Sequence, residues 1–312
     1  MMRNVGICGY GNLGKAVETI LQTCPDLRLT AVFSRRKITT ATGVPVYDLA
    51  KIPERETELD LILACGGSYE DLPVQTPFLA RRFCVADPFD THTRMKEHLE
   101  NVRRAAEETG HLALVGAGWD PGIFSVIRLF SAAMGGDAYT FWGPGISQGH
   151  SDVLRRVAGV ADGRQITVPV KSALKKARRG RSFSAAHRRK CYVVAAPGAR
   201  KKEIAARIRS VPGYFAGTPT SIRFLTQKAL LRRHGTFPHA GQVLFRGTAG
   251  GEGFRGRFCL QMDSNPAFTA ALLVAYGRAV LRLHDAGKTG AITVFDVPPA
   301  LLFPGDDVTA FL

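Results

Sequence analysis

The sequence predicts an α/β fold in two parts: a doubly wound, dinucleotide-binding domain and a second, mixed α+β domain. Three observations carry that prediction. Residues 4–8, NVGIC, form a short apolar run that ends at Gly9-Tyr10-Gly11-Asn12-Leu13-Gly14. The next ten residues, KAVETILQTC, put Ala16, Val17, Ile20 and Leu21 at helical spacing, and LRLTAVF then alternates as a strand. After about residue 120 the regular alternation of strand and helix gives way to β-rich segments.

Strand, glycine turn, helix and strand make a βαβ unit, and GxGxxG in that setting is the Rossmann fingerprint. Gly9 and Gly11 lack side chains that would keep a pyrophosphate away, and free N–H groups at the helix start bind its charge. LDLILAC (59–65) reads as a buried strand ending in Cys65-Gly66-Gly67-Ser68, and FCVAD (83–87) as another, ending in Asp87. MKEHLENVRRAAEETG (95–110) has helical periodicity and a glycine stop. HLALVGAG (111–118) is the next strand, leading to Trp119-Asp120-Pro121-Gly122. Ligands of open parallel sheets collect beyond the carboxyl ends of the strands, where Gly9, Ser34, Gly66, Asp87 and Asp120 all fall.

Residues 123–135 suggest a helix. RQITVPV, KCYVVAA, TSIRFLT, QVLFRG and RGRFCLQMD suggest strands without regular helices between them. PAFTAALLVAYGRAVLRLHDAG (266–287) reads as a long helix, apolar on more than one stripe and expected to return to the first domain. The expected division is 1–118 plus about 266–312 for the dinucleotide domain, and 119–265 for substrate binding and dimerisation.

The chain has 312 residues, 45% hydrophobic and 22% charged, with a net charge of +16. Its N-terminus enters the first strand without a signal-peptide h-region, and no apolar run approaches the ~18 residues of a membrane span. A cytoplasmic protein is expected, with the six cysteines reduced and no metal site, since none are spaced as zinc ligands. The charge is concentrated in KSALKKARRGRSFSAAHRRK (171–190), which holds nine Lys or Arg and no acid. Such a run reads as a solvated helix and loop that can also attract a polyanion. With no nucleic-acid module beside it, no nucleic-acid partner is expected.

Where many NAD-binding chains carry an acid after the second strand, this one has Ser34, Arg35 and Arg36. A carboxylate there would repel a 2′-phosphate, whereas guanidinium forks pair its oxygens and the serine hydroxyl donates. The pattern predicts NADP. Asp87 and Asp120, at the same sheet edge, form a candidate ammonium-binding pair, with the alternative that each only caps a helix. Trp119 and Trp142 offer flat apolar surfaces. TFWGPGISQGHSDVLRR (140–156) permits close backbone approach at its glycines and brings Gln148, His150 and Ser151 as polar groups. Arg189, His239 and Asn265 fall near strand ends or turns.

These segments resemble the meso-diaminopimelate dehydrogenase family. The resemblance runs through GYGNLG, VFSRR, GWDPG, FWGPGISQGHSDVLRR, KARRG, PHAG, NPAFTA and GAITV, in order along nearly the whole chain. It weakens at 196–235 and at CGGSY (65–69). The family oxidises the D-configured amino centre of meso-2,6-diaminopimelate with NADP, and the resemblance implies that reaction here and a homodimer. It implies Asp87 and Asp120 as the acids at the reacting amine, Trp119 and Trp142 as pocket walls, and Gln148 and Gly149 on the proximal carboxylate. Thr167, Arg189, His239 and Asn265 would grip the rest of the substrate, Arg189 at the distal carboxylate. Gly9 to Gly14, Ser34 to Arg36 and Cys65, Gly66, Gly67 and Ser68 would hold the cofactor.

Overall fold

A computed structural model describes residues 2–305 and 307–312. The chain divides into two compact units, Met1–Ile123 with Pro266–Leu312, and Phe124–Asn265.

The first unit begins β1 (Arg3–Cys8), α1 (Asn12–Leu21), β2 (Leu27–Phe33), β3 (Val46–Tyr47), β4 (Leu61–Ala64), α2 (Leu72–Ala80), β5 (Cys84–Asp87), α3 (Met95–Glu107) and β6 (Leu112–Val115). The second unit holds α4 (Ile123–Ala133), β7 (Gly136–Trp142), β8 (Gly145–Ser147), α5 (Gln148–Arg156), β9 (Val160–Pro169), α6 (Lys171–Arg178), β10 (His187–Ala195), α7 (Lys201–Ser210), β11 (Thr220–Phe224), α8 (Gln227–His234), β12 (His239–Ala249) and β13 (Glu252–Met262). The chain then returns to the first unit through α9 (Asn265–Asp285) and β14 (Gly290–Ile292).

The first unit is a seven-stranded parallel sheet in the order β14-β6-β5-β4-β1-β2-β3. The order reverses between β1 and β4, which places the crevice of a doubly wound sheet at Gly9 and Cys65. β4 and β5 are buried along their whole length, as strands covered on both faces must be. On one face α3 presents His98, Val102, Ala105 and Ala106 as a buried stripe. Val102, Ala105 and Ala106 pack with Phe33, Phe83, Val85, Phe89, Leu72 and Leu79 in one apolar cluster, and His98 stacks on Phe89. Burying each such Phe, Val or Leu contributes about 1.5–3 kcal/mol before entropy is counted.

α9 is long and apolar enough by composition to cross a membrane, but 56% of its apolar window is buried inside the molecule. Leu273, Val274, Ala279 and Val280 are in the core, and a Cβ on Gly277 would come within 2.8 Å of Leu61 and Leu63. Arg278 donates to Asp26 Oδ1 at 2.9 Å, which fixes the helix to the strand side. It is the core helix of the first unit.

The second unit holds two sheets, β11-β10-β9-β8 and β13-β12-β7. The expected strands are present, and α6 falls in the basic run read as helix and loop, but helices α5, α7 and α8 lie where the sequence suggests none. Their apolar positions are few: Ile204 and Ile208 alone are buried in α7, and Leu230 alone in α8. The run 171–190 is also not uniformly solvated. It starts as α6 and ends inside β10, where Arg189 is only 8% exposed.

Candidate active site

The nucleotide loop is built by its glycines. Gly9 sits at φ +97°, and a Cβ there would approach the Cys65 carbonyl carbon at 3.1 Å. A Cβ on Gly14 would strike Gly9 O at 2.2 Å, so α1 can press against the turn only with glycine there. Gly11 differs, for a Cβ there would meet nothing within 4 Å. Protein packing therefore leaves the space before Gly11 open. The α1 N-terminus has no side-chain cap and no acid in its first turn, and so fits a pyrophosphate. Tyr10 is anchored by Glu18, Asn12 and Leu13 open the helix, and Cys65 is fixed by its N–H donating to Cys8 O at 2.7 Å.

Ser34, Arg35 and Arg36 follow β2 at the same edge. Arg36 Nη2 donates to Tyr10 O at 3.3 Å, which draws it toward the glycine turn, and its N–H donates to Ser34 Oγ at 3.1 Å. Arg35 is 67% exposed and donates to Asp71 Oδ1 at 2.8 Å. Asp71 also accepts from Gly67 N–H at 3.0 Å, so one carboxylate ties Arg35 to the Gly66-Gly67-Ser68 loop. Two guanidiniums beside an open helix N-terminus fit a 2′-phosphorylated dinucleotide.

Asp87 is corrected. It is fully buried, and its carboxylate accepts from Thr76 Oγ1 at 2.7 Å and from the N–H groups of Phe89 at 3.0 Å and Gly116 at 3.2 Å. His98 Nε2 lies 2.7 Å from its second oxygen. With four partners inside the fold, this carboxylate has no place for a substrate ammonium. It joins α2 and α3 to the loops that follow β5 and β6. Asp90, three residues on, is half-buried at the same edge and donates its N–H to Ser68 Oγ at 3.1 Å. The sequence reading missed it, because Asp87 and Asp90 fall together in VADPFD and spacing does not say which one turns inward.

Trp119 and Asp120 are both half-buried, on a loop that closes on itself. A Cβ on Gly122 would lie 1.5 Å from Gly118 O, so the turn carrying Asp120 requires glycine.

In the second unit the predicted residues assemble through strand register. Gly145 on β8 faces Thr167 on β9, which faces Arg189 on β10. A Cβ on Gly145 would sit 2.4 Å from His239 Cα, so His239 joins this row at close range. Gly143, at φ +93°, passes so near β9 that a Cβ would strike Thr167 O at 2.2 Å. Thr167 Oγ1 accepts from Gln165 Nε2 at 3.2 Å. Gln148 and Gly149 open α5, whose cap Ser147 accepts from His150 N–H at 3.3 Å. Asn265 is buried, and its N–H donates to Phe237 O at 2.8 Å.

Arg189 is the sharpest feature. Its Nε and Nη1 are buried and have no hydrogen-bond partner among the described residues. Burial pulls its pKa down to about 10, which leaves it a cation at neutral pH. A buried guanidinium with two unspent donors is costly unless an anion occupies its fork. His239 Nδ1 is 2.8 Å from Ala240 O, so Nδ1 carries the proton and Nε2 is the acceptor. Burial lowers the His239 pKa to about 4. His187, which the sequence reading passed over inside the basic run, belongs to the same cluster. It accepts the Trp142 main-chain N–H through Nε2 at 2.7 Å and stacks on the indole.

A doubly wound parallel sheet with an arginine-flanked glycine turn, joined to a unit with a buried anion fork, defines a dinucleotide-dependent oxidoreductase of an anionic substrate. The diaminopimelic acid dehydrogenase C-terminal domain matches residues 118–264. The meso-diaminopimelate D-dehydrogenase of Acetivibrio thermocellus is 42% identical over 313 residues, covering 96% of this chain and 94% of that one. The structure of the C. glutamicum diaminopimelate dehydrogenase with diaminopimelate superposes at a TM-score of 0.91, with 40% identity over 97% of this chain and 96% of that one. An engineered D-amino acid dehydrogenase bound to NADP+ superposes at 0.94, with 37% identity over 100% of this chain and 98% of that one. The chain belongs to the meso-diaminopimelate D-dehydrogenase family.

Proposed function

We propose that this chain is an NADP-dependent meso-diaminopimelate dehydrogenase, acting in the cytoplasm on diaminopimelate for lysine biosynthesis. The observation that carries the substrate reading is Arg189, whose buried donors call for an anion. In the oxidative direction the D-centre amine, NADP+ and water give L-2-amino-6-oxopimelate, ammonium, NADPH and a proton. The bound nicotinamide supplies the hydride acceptor, and reversal makes the reaction a reductive amination.

Gly9 through Gly14 hold the pyrophosphate, Ser34, Arg35 and Arg36 the 2′-phosphate, and Cys65 through Ser68 line the crevice beside them. Asp120, with Asp90 in the place given to Asp87, accepts from the reacting ammonium and takes its proton as the amine becomes an imine. Water then adds to the imine carbon and ammonia leaves. Trp119 and Trp142 wall the substrate, and Gln148 and Gly149 donate to the proximal carboxylate. Arg189 and Thr167 hold the distal carboxylate. His239 and Asn265 accept from the distal ammonium, His239 through its unprotonated Nε2. Positioning of this kind decides which Cα–H faces the cofactor, and so sets the stereochemistry. A homodimer fits the exposed apolar patch at the end of α4, where Leu129 and Phe130 on the helix and Met134 just beyond it are each at least half exposed.

R189M tests the reading. It should raise KM for meso-diaminopimelate roughly 10- to 150-fold at unchanged KM for NADP+, since a charge-assisted pair contributes about 1.5–3 kcal/mol. An unchanged KM for the substrate would remove Arg189 from the site. Greater activity on simple D-amino acids than on meso-diaminopimelate would favour a broader D-amino acid dehydrogenase.

A further inference from the structure

We propose that His187 is a positioning residue for substrate recognition, holding the Trp142 wall in place beside the Arg189 fork. The inference rests on the diaminopimelate reading above. β7 is an edge strand, and its last residue, Trp142, turns its N–H away from β12: the neighbouring Gly143 N–H donates to Ala240 O at 2.6 Å. An edge N–H in a half-buried place needs an acceptor. His187 Nε2 provides it at 2.7 Å. The same imidazole lies against the indole, with ring centroids 4.8 Å apart and planes 17° apart. One side chain therefore fixes both the main chain and the ring of Trp142.

His187 and Arg189 are two residues apart on β10, so they project from the same face of the sheet. His187 also meets Phe141, at 6.0 Å between ring centres. The acceptor role requires a neutral ring. Burial, then the nearby charge of Arg189 and the presence of His239, hold the His187 pKa down to about 4. The ring thus stays neutral beside a cation, and Nδ1 carries its single proton. Arginine or lysine at 187 could neither accept from Trp142 nor sit beside Arg189 without repulsion. Leucine could fill the volume but would offer the Trp142 N–H no acceptor.

The test compares H187A and H187Q with the wild type, for which Gln Oε1 can replace Nε2 as the acceptor. H187A should raise KM for meso-diaminopimelate about 10-fold, with kcat and the KM for NADP+ changed less than about threefold. H187Q should recover most of that loss. A residue with only a structural role would lower the melting temperature and the active fraction, leaving KM as it was. If H187A does not fold, H187F keeps a flat ring without an acceptor, and its KM should exceed that of H187Q. An unchanged KM in the folded variants, or no difference between the acceptor-bearing and acceptor-free ones, overturns the proposal. A wild type that does not oxidise meso-diaminopimelate overturns the reaction itself, and this role with it.

Discussion

At the scale of residues, two carboxylates that look alike in sequence have opposite fates. Asp120 stands half-buried on a glycine-closed loop, and Asp87 lies fully buried with four partners. D120N should abolish most turnover while leaving the melting temperature within a few degrees. D87A should instead destabilise the protein by about 3–5 kcal/mol, because it strands donors that had shared a buried charge. Thermal denaturation beside a turnover assay separates the two, and a stable, slow D87A protein would return Asp87 to the catalytic group. An acid at a strand end is legible in sequence. Whether it faces the crevice or folds back on the loops depends on contacts with Thr76 and His98, which no local pattern shows. Arg189 was legible only as a position near a strand end, and its role came from the family likeness, for it sits in a run rich in Lys and Arg. Its burial comes from pairing with Thr167 across β9 and β10. His187 was hidden by the same run.

At the scale of elements, the βαβ unit with its glycine turn was readable because each part obeys a short-range rule. Period two gives way to helical spacing, and glycine stands where a side chain cannot. The glycines of that turn make different predictions. G14A should prevent normal packing of α1, since its Cβ would sit 2.2 Å from Gly9 O. G11A should fold with an unaltered melting temperature, because nothing in the protein lies within 4 Å, and should still raise KM for NADP+ several-fold. Loss of stability in G11A with intact NADP+ binding would contradict the pyrophosphate assignment. Arg35 and Arg36 give the companion test: replacing both with alanine should weaken NADP(H) far more than NAD(H), read as a ratio of the two KM values. Helices α7 and α8 were not legible. Each buries too few apolar side chains to leave a stripe in a sequence crowded with Lys and Arg.

At the scale of the whole molecule, the first unit buries Cys8, Cys65 and Cys84, with burial pushing Cys8 up to about 12 and Cys84 to about 11, so neither of these two is a nucleophile at neutral pH. The second unit holds two neutral imidazoles, the half-buried His187 and the buried His239, each at about 4 in the fold against an ordinary value near 6.5. Between those values the unfolded chain binds protons that the folded chain refuses. Stability present above pH 6.5 is therefore lost as the pH falls toward 4, by up to about 3 kcal/mol for each ring. The urea midpoint should drop between pH 7 and pH 4.5, and H187Q should show a smaller drop. An equal drop in that variant would mean that His187 is not held neutral.

The central claim is the reaction and its stereochemistry, and the most direct measurement is NADP+ reduction with the three stereoisomers of 2,6-diaminopimelate. The proposed roles, Asp120 at the reacting amine and Arg189 at the distal carboxylate, predict rapid reduction with the meso isomer and little with the L,L or D,D forms. Equal rates with all three, or no reduction with any, would contradict it.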